Sequence, residues 1–172
     1  ITGSTPQGDA DFEGITFQII NNSRNPVIVE GEKYQPGEVV KTLVTDSEGK
    51  ASTADDLLPY GEYILHESAT NESMLLTAPD QTVQVEDDGV IYEFTVADEV
   101  VRGGVLIEKR DLESGLLTPL GGASLDGTLF EITNKSINAV YVGGALYEPG
   151  KVCATIEVVD GIAQTDARAL PY

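Results

Sequence analysis

The 172-residue chain has no tryptophan and only one cysteine, one methionine and one histidine. Its single cysteine, Cys153, cannot form an intrachain disulfide, and its place in a β-rich run predicts a small buried residue and not a nucleophile. Basic residues are also scarce: 10 Lys and Arg stand against 29 Asp and Glu, and the net charge is −19. Such a surface repels phosphate groups, which argues against nucleic acids and anionic membranes as partners.

Motifs for metal binding and catalysis are missing as well. The only histidine, His66, has no cysteine or second histidine near it, and the acidic residues lack the spacing of a calcium loop. The serines stand outside any nucleophile-elbow context, and the glycine pairs outside any phosphate-loop context. No apolar run approaches the length of a membrane span. We therefore expect no cofactor, no metal site and no enzyme activity of an ordinary class.

What the chain does contain is typical of a β protein. Hydrophobic residues make up 41 %, and 18 Gly and 8 Pro interrupt them at short intervals. Runs rich in Val, Ile, Thr and Tyr, bounded by turn residues, predict strands at 15–20, 38–44, 60–67 and 90–96. Residues 46–49 and 86–89 read as hairpin-type turns. The predicted fold class is all-β, a sandwich of the immunoglobulin-like or prealbumin-like kind.

An internal repeat is the strongest signal in the sequence. The matching segments, in order, are 5–19 with 118–132, 34–37 with 147–150, 49–53 with 161–165, and 58–60 with 170–172. The matches keep their order over a spacing of 113 residues in the first two and 112 in the last two, which indicates two copies of one module with a one-residue gap. We predict repeat 1 at 1–101, lacking its first strand, and repeat 2 at 102–172, lacking its C-terminal strands. The copies should superpose over 6–60 and 119–172, apart from the turn near Ser47.

Three predicted strands carry an ionisable residue at the end of an apolar face. They are Glu67, Asp98 and Lys109, each two positions beyond an apolar side chain on the same face. An unpaired buried charge is costly, so such groups are expected to be neutral, paired or reacted with one another. The alternative is that each strand ends there and the side chain reaches solvent.

Several segments of the chain together resemble one known family. They are 45–51, 58–63, 94–98, 104–111, 119–123 and 130–132, together with Glu67. Their order resembles the collagen-adhesin B-type repeats, or SpaA-like pilin domains, of Gram-positive surface proteins. The resemblance covers nearly the whole chain and implies tandem prealbumin-like or immunoglobulin-like sandwiches.

The resemblance also implies a role for the three ionisable residues. In such repeats a first-strand Lys forms an amide with a last-strand Asn or Asp, and a middle-strand Glu assists. Lys109 matches the Lys, Asp98 the acceptor and Glu67 the assisting carboxyl. Because Lys109 belongs to repeat 2 and the other two to repeat 1, we do not expect an ordinary isopeptide bond within either repeat. With Asp98 as acceptor in place of Asn, water and not ammonia would leave.

Two functions remain open at this point. The first is a structural spacer in the stalk of an extracellular, cell-wall-anchored adhesin or pilin, with adjacent repeats as its partners. The second is an adhesin module that binds a host extracellular-matrix protein or glycan through its loops. Tyr34 and Tyr147 recur at equivalent positions of the two copies, which favours the structural role, since a binding site should concentrate aromatic residues in one copy. Beyond a single-turnover self-reaction, we predict no catalysis.

Overall fold

The computed structural model describes residues 5–172, which divide into two compact units. One unit spans Asp11–Glu99, and the other combines residues 5–10 with Val100–Tyr172. Both are built from short strands and turns, and the described residues contain no helix. The predicted all-β class is therefore confirmed.

The Asp11–Glu99 unit is organised around one four-stranded antiparallel sheet in the order β4-β1-β5-β7. Its strands, with the boundary strand β8, are β1 (Thr16–Asn21), β2 (Val27–Val29), β3 (Glu32–Tyr34), β4 (Val39–Val44), β5 (Gly61–Ala69), β6 (Met74–Leu75), β7 (Gln81–Val85) and β8 (Glu99–Val100). Strands β2 and β3 form a hairpin, and β6 pairs with β8.

The core of this unit follows from strand alternation, which turns every second side chain inward. Its buried members are Ile19, Val27, Val29, Val40, Tyr63 and Val83. Tyr63 has no exposed surface, and its hydroxyl donates a hydrogen bond to the Pro59 carbonyl at 2.8 Å. A buried Tyr hydroxyl needs such a partner, because leaving it unpaired in an apolar core costs free energy. The core thus also holds the chain segment that precedes β5.

The second unit contains four separate strand pairs, β9–β16, β10–β15, β11–β14 and β12–β13. The strands are β9 (Arg102–Gly103), β10 (Leu106–Glu108), β11 (Leu129–Thr133), β12 (Val140–Val142), β13 (Ala145–Tyr147), β14 (Val152–Glu157), β15 (Ile162–Gln164) and β16 (Leu170–Pro171). Val140, Val142 and Cys153 form its buried cluster. The Cys153 thiol donates to the Ile132 carbonyl at 3.3 Å, which confirms the prediction of a buried structural cysteine.

The motif β1–β4 recurs as β11–β14, down to its irregularities. Each outer pair, β1–β4 and β11–β14, carries a register shift near the end of its first strand. A buried asparagine stands at the end of each first strand: Asn21 is the last residue of β1, and Asn134 directly follows β11. The Asn21 side chain donates to the Asn25 and Tyr34 carbonyls, both at 3.2 Å, and accepts from the Ser23 amide at 3.0 Å.

Asn134 makes the same three bonds at the equivalent positions. It donates to the Asn138 and Tyr147 carbonyls at 3.0 and 3.1 Å and accepts from the Ser136 amide at 2.9 Å. The repeat seen in the sequence is thus a repeat of side-chain hydrogen bonding as well as of strand order.

One predicted strand is wrong. Residues 90–96 join no sheet, and the strand that completes the main sheet is β7, Gln81–Val85. The segment is held instead by side-chain contacts, among them the Tyr92 hydroxyl, which accepts a hydrogen bond from the Glu86 amide at 3.1 Å. Alternating apolar residues therefore mark a mostly exposed segment here, without a partner strand, in which only Tyr92 and Val96 are half-buried.

Candidate functional site

Glu67 lies on β5, on the same face as the core residue Tyr63. Only 5 % of its surface is exposed, and both carboxyl oxygens are buried. Neither oxygen receives a hydrogen bond from a donor among the described residues. Because strand alternation turns residue 67 inward, the sequence of β5 forces an ionisable group onto an apolar face.

Asp98 immediately precedes β8 and is held from one side by the segment that follows β6. Its Oδ1 accepts hydrogen bonds from the Thr77 amide at 3.1 Å, the Ala78 amide at 3.0 Å and the Thr77 hydroxyl at 3.2 Å. The side chain is half-buried. Three donors on one oxygen fix the orientation of the carboxyl group.

The electrostatics of Glu67 reflect these surroundings. Burial is the largest of the causes that together raise the pKa of Glu67 to about 7; the close approach of the Asp98 carboxyl and the negative charge of Asp98 act in the same direction. Two ionised carboxylates have no proton to share, whereas protonated Glu67 can donate to Asp98. Near neutral pH the pair therefore exchanges one proton with its surroundings while Asp98 keeps its three donors.

Lys109 belongs to the second unit and directly follows β10. It shares a half-buried face with Val105 and Ile107, as strand alternation predicts, while residues 106 and 108 are exposed. Its backbone amide donates to the Gly161 carbonyl at 2.8 Å. Within residues 5–172, its ammonium group has no hydrogen bond or ion pair. The structure thus brings Glu67 and Asp98 together in one unit and places Lys109 in the other.

The sequence did not point to Thr77 and Ala78, the residues that orient Asp98. Two of the three donors are backbone amides, which carry no residue-type signal. The repeated asparagines, by contrast, carry a signal in the sequence, because Asn21 and Asn134 stand at equivalent positions and each precedes a serine by two residues, a pattern that predicts turn chemistry. Their burial and bonding show structural turn chemistry at both places.

Other candidate sites contribute little. His66 is exposed and pairs with Asp80 at 2.7 Å between Nδ1 and Oδ1. Across residues 5–172, no three metal-ligating side chains are grouped closely enough to hold an ion. In the same part of the chain there is no helix with the length and apolar character needed to cross a membrane.

The arrangement of Glu67 and Asp98 is suited to one kind of chemistry. A carboxyl group with a pKa near neutrality can both take up and release a proton. A neighbouring carboxyl group held by three donors presents its carbon in a fixed place to an incoming nucleophile. What the described site lacks is the nucleophile itself.

A family described as "SpaA: Prealbumin-like fold domain" matches residues 5–100. Among solved structures, one similar in fold is that of the Bacillus anthracis TIE protein, with a TM-score of 0.53 and 21 % identity over 96 % of this chain and 25 % of that one. A Streptococcal ancillary pilin is 24 % identical over 93 % of this chain and 46 % of its own, with a TM-score of 0.38. The chain thus spans less than half the length of either protein. No curated protein matched.

Proposed function

Because the chain belongs to the SpaA family of prealbumin-like fold domains, we propose that it is a structural module in the stalk of a bacterial surface protein or pilin. In this role it is non-enzymatic and extracellular, and it spaces a distal domain from the cell wall. Its partners are adjacent modules of the same protein.

The observation that carries this proposal is the repeated motif. β1–β4 and β11–β14 share strand order, register shift and the buried asparagine with its three hydrogen bonds. A protein that lengthens by adding one module at a time needs each copy to fold by the same local rules. A binding protein has no such need, since one copy would carry the site.

Small-angle X-ray scattering on gene fusions of one, two and three copies of the chain tests the spacer role. A spacer adds a constant increment to the maximum dimension with each copy. A maximum dimension that stops growing after the first fusion would show that the copies collapse on one another, and would overturn the proposal. A fusion joined by a flexible Gly/Ser linker gives the comparison for unconstrained copies.

We further propose that Glu67 and Asp98 form the acceptor half of a self-joining amide site. A lysine amine delivered on a neighbouring strand would attack the Asp98 carboxyl carbon. The C–N bond forms, one C–O bond breaks, and the oxygen leaves as water, so that ammonium plus carboxylate give amide plus water. Glu67, with its pKa near 7, would take the proton from the amine and pass it to the leaving oxygen, ending as it began.

A synthetic peptide of residues 102–111 tests the amide chemistry, because it carries Lys109 on its own strand sequence. Incubated with the full chain, it should give a covalent adduct whose intact mass is the sum of chain and peptide less one water. Glu67→Gln should slow the reaction by about 100-fold, the usual loss for a general acid–base. Asp98→Ala and a peptide with Lys109→Arg should abolish it. An unmodified wild-type chain, or equal rates for wild type and Glu67→Gln, would overturn this role without touching the spacer proposal.

A further inference from the structure

Residues 5–10 dock onto an edge of the second unit through backbone hydrogen bonds. The Gly8 amide donates to the Ala139 carbonyl at 3.2 Å, and the Asn138 amide donates back to the Gly8 carbonyl at 3.1 Å. The Asp9 amide donates to the Tyr172 carbonyl at 3.1 Å. The Asn138 side chain adds a fourth bond to the Gly8 carbonyl at 3.1 Å. This pattern is strand-like addition to an edge.

This contact requires the backbone of Gly8 to approach the Tyr172 carbonyl closely. Gly8 is buried, adopts a positive φ of 67°, and a Cβ built on it would lie 1.8 Å from the Tyr172 carbonyl oxygen. No other residue fits there without displacing the backbone. The turn is closed by the Ala10 amide, which donates to the Gln7 carbonyl at 3.2 Å.

The same turn occurs a second time, at 118–123, where no part of the described chain covers it. This segment is the sequence equivalent of residues 5–10. Gly121 has a φ of 63°, and the Ala123 amide donates to the Leu120 carbonyl at 3.4 Å, which reproduces the Gly8 turn. Residues 120–123 are exposed, and a Cβ on Gly121 would meet no atom within 4 Å. The docking element is thus preformed and unoccupied.

The receiving edge also occurs a second time, in the Asp11–Glu99 unit. The equivalents of Asn138, Ala139 and Tyr172 are Asn25, Pro26 and Tyr60. Asn25 offers the same amide and side-chain donors. Pro26 and Tyr60 offer the same carbonyls, and Pro26 lacks only an amide that its equivalent Ala139 does not use in the contact. All three residues are exposed, Tyr60 by 71 %.

At the uncovered turn and the uncovered edge, two side chains have changed together from a polar contact to an apolar one. In the docked pair, Gln7 Oε1 accepts from the Tyr141 amide at 3.1 Å. The equivalents of Gln7 and Tyr141 are Leu120 and Ile28, which are 53 % and 66 % exposed. A polar contact on one side is thus replaced by two apolar side chains that would cover each other.

One docked bond has no counterpart in the uncovered pair. Asp9 Oδ1 accepts from the Ile137 amide at 2.7 Å, but the equivalent of Asp9 is Gly122. This loss weakens the second contact and removes one negative charge from it, which matters in a chain of net charge −19.

We propose that residues 118–123 of one copy dock onto the edge formed by residues 24–28 and Tyr60 of a second copy. The partner of this surface is therefore the chain itself, in a head-to-tail contact. Donor and receiver are different surfaces, so the contact is heterologous and propagates into open chains unless its rotation closes a ring. Four backbone-directed bonds and one apolar pair make a small interface, so association is weak and grows with protein concentration.

Disulfide trapping tests the contact directly. In a Cys153→Ala background, Arg24→Cys and Gly122→Cys stand at the equivalents of Ile137 and Asp9, which touch in the docked pair. Mild oxidation should give a ladder of dimers, trimers and longer species. Arg24→Cys with Leu112→Cys is the matched control, since Leu112 is 99 % exposed, and it should crosslink at least about tenfold less. Equal yields from the two pairs would overturn the proposal.

A second pair of variants needs no crosslink. Asn tolerates a positive φ, so Gly121→Asn keeps the turn. It also adds a Cβ, which at the equivalent Gly8 would clash with the carbonyl oxygen of Tyr172 in the receiving edge. Gly115→Asn is its control, because Gly115 has a φ of 71° and open space around it. Sedimentation velocity at high protein concentration and raised ionic strength should show association for wild type and Gly115→Asn and its loss for Gly121→Asn. Association that survives in Gly121→Asn, or a wild type that stays monomeric at every concentration, would contradict the contact.

Discussion

Residues 49–60 and 161–172 are two copies of one stretch of sequence, yet only the second forms strands. In the second unit, β15 pairs with β10 and β16 pairs with β9, so that residues 162–164 and 170–171 lie in ladders. In the first unit, the equivalent residues 50–52 and 58–59 belong to no strand. Two related stretches, identical at 6 of 12 positions, thus adopt two states within one chain.

The difference shows that a partner strand, and not local propensity, decides the state of this stretch. Residues 102–108 supply the partner in the second unit, where Ile107 lies opposite Ala163. Ala163 is 1 % exposed, whereas its equivalent Ala51 is exposed. An unpaired extended segment must satisfy its backbone groups with water, which leaves it outside any sheet.

Proline at the two equivalent alanines should give the largest contrast. The bonds Lys109 N to Gly161 O and Thr165 N to Val105 O make Ile107 and Ala163 a hydrogen-bonded pair, so Ala163→Pro removes a ladder bond in a buried site. We expect a loss of about 3–4 kcal/mol in the free energy of unfolding for Ala163→Pro and under about 1 kcal/mol for Ala51→Pro.

Urea denaturation followed by NMR signals from each unit measures the two proline variants separately. Each variant should report through its own unit, with the signals of the other unit as an internal control. A cost above about 3 kcal/mol for Ala51→Pro would break the comparison, since it would reveal a hidden backbone bond in the first copy.

The next largest effect concerns Glu67, because its carboxyl group is buried on β5 of the first unit. Its pKa is about 7 in the folded chain and 4.5 ordinarily, so between these values the folded state binds more protons than the unfolded state. Stability from this group is complete below pH 4.5 and is lost as pH rises through about 7. Relative to Glu67→Gln, the wild type should lose about 3 kcal/mol between pH 4.5 and 8.

Equilibrium unfolding of the wild type and Glu67→Gln across that pH range checks this dependence. The difference between the two isolates Glu67 from the other carboxylates. Glu62→Gln, on the same strand but with a half-buried, hydrogen-bonded side chain, is the matched control and should leave the pH dependence unchanged. A flat difference for Glu67→Gln would show that its carboxyl is hydrated in solution.

The two buried asparagines should respond equally, since here both copies are folded alike. Asn21→Ala and Asn134→Ala each leave two carbonyls and one amide without their partner. We expect each to cost about 2 kcal/mol in its own unit. Thermal unfolding monitored unit by unit compares them. If the two losses in the free energy of unfolding differ by more than about 1 kcal/mol, the two asparagines share the same hydrogen bonds but do not stabilise their units equally.

The smallest predicted effect is at Tyr63. Its hydroxyl donates a hydrogen bond to the Pro59 carbonyl, which lies in residues 49–60, the stretch that forms no strand. Tyr63→Phe should cost about 1 kcal/mol, the value of one hydrogen bond, and should speed hydrogen exchange near residue 60. Tyr34→Phe is the control, since no hydrogen bond of the Tyr34 hydroxyl is seen in the described chain. An unchanged exchange rate near residue 60 would show that apolar packing alone fixes this segment.

The sequence predicts a strand correctly where a partner strand is present, and it fails where no partner strand is present. Periodicity located β1, β4 and β5 to within two residues, because each has a buried face that repeats every second position. It failed at 90–96, where apolar alternation is present but no strand lies opposite. Glu67 was found because alternation alone places it inward, whereas the bonds that orient Asp98 come from backbone amides, which no residue pattern announces.

Hydrogen exchange at the amides of Ala51 and Ala163 in the same chain tests the central claim most directly. The preceding residues differ, Lys50 in one copy and Ile162 in the other, so each measured rate is divided by the intrinsic rate of its own sequence and the two protection factors are compared. The account predicts that the Ala163 amide exchanges at least about 100-fold more slowly than the Ala51 amide. Equal protection of the two would contradict it, because the first copy would then be paired as the second one is.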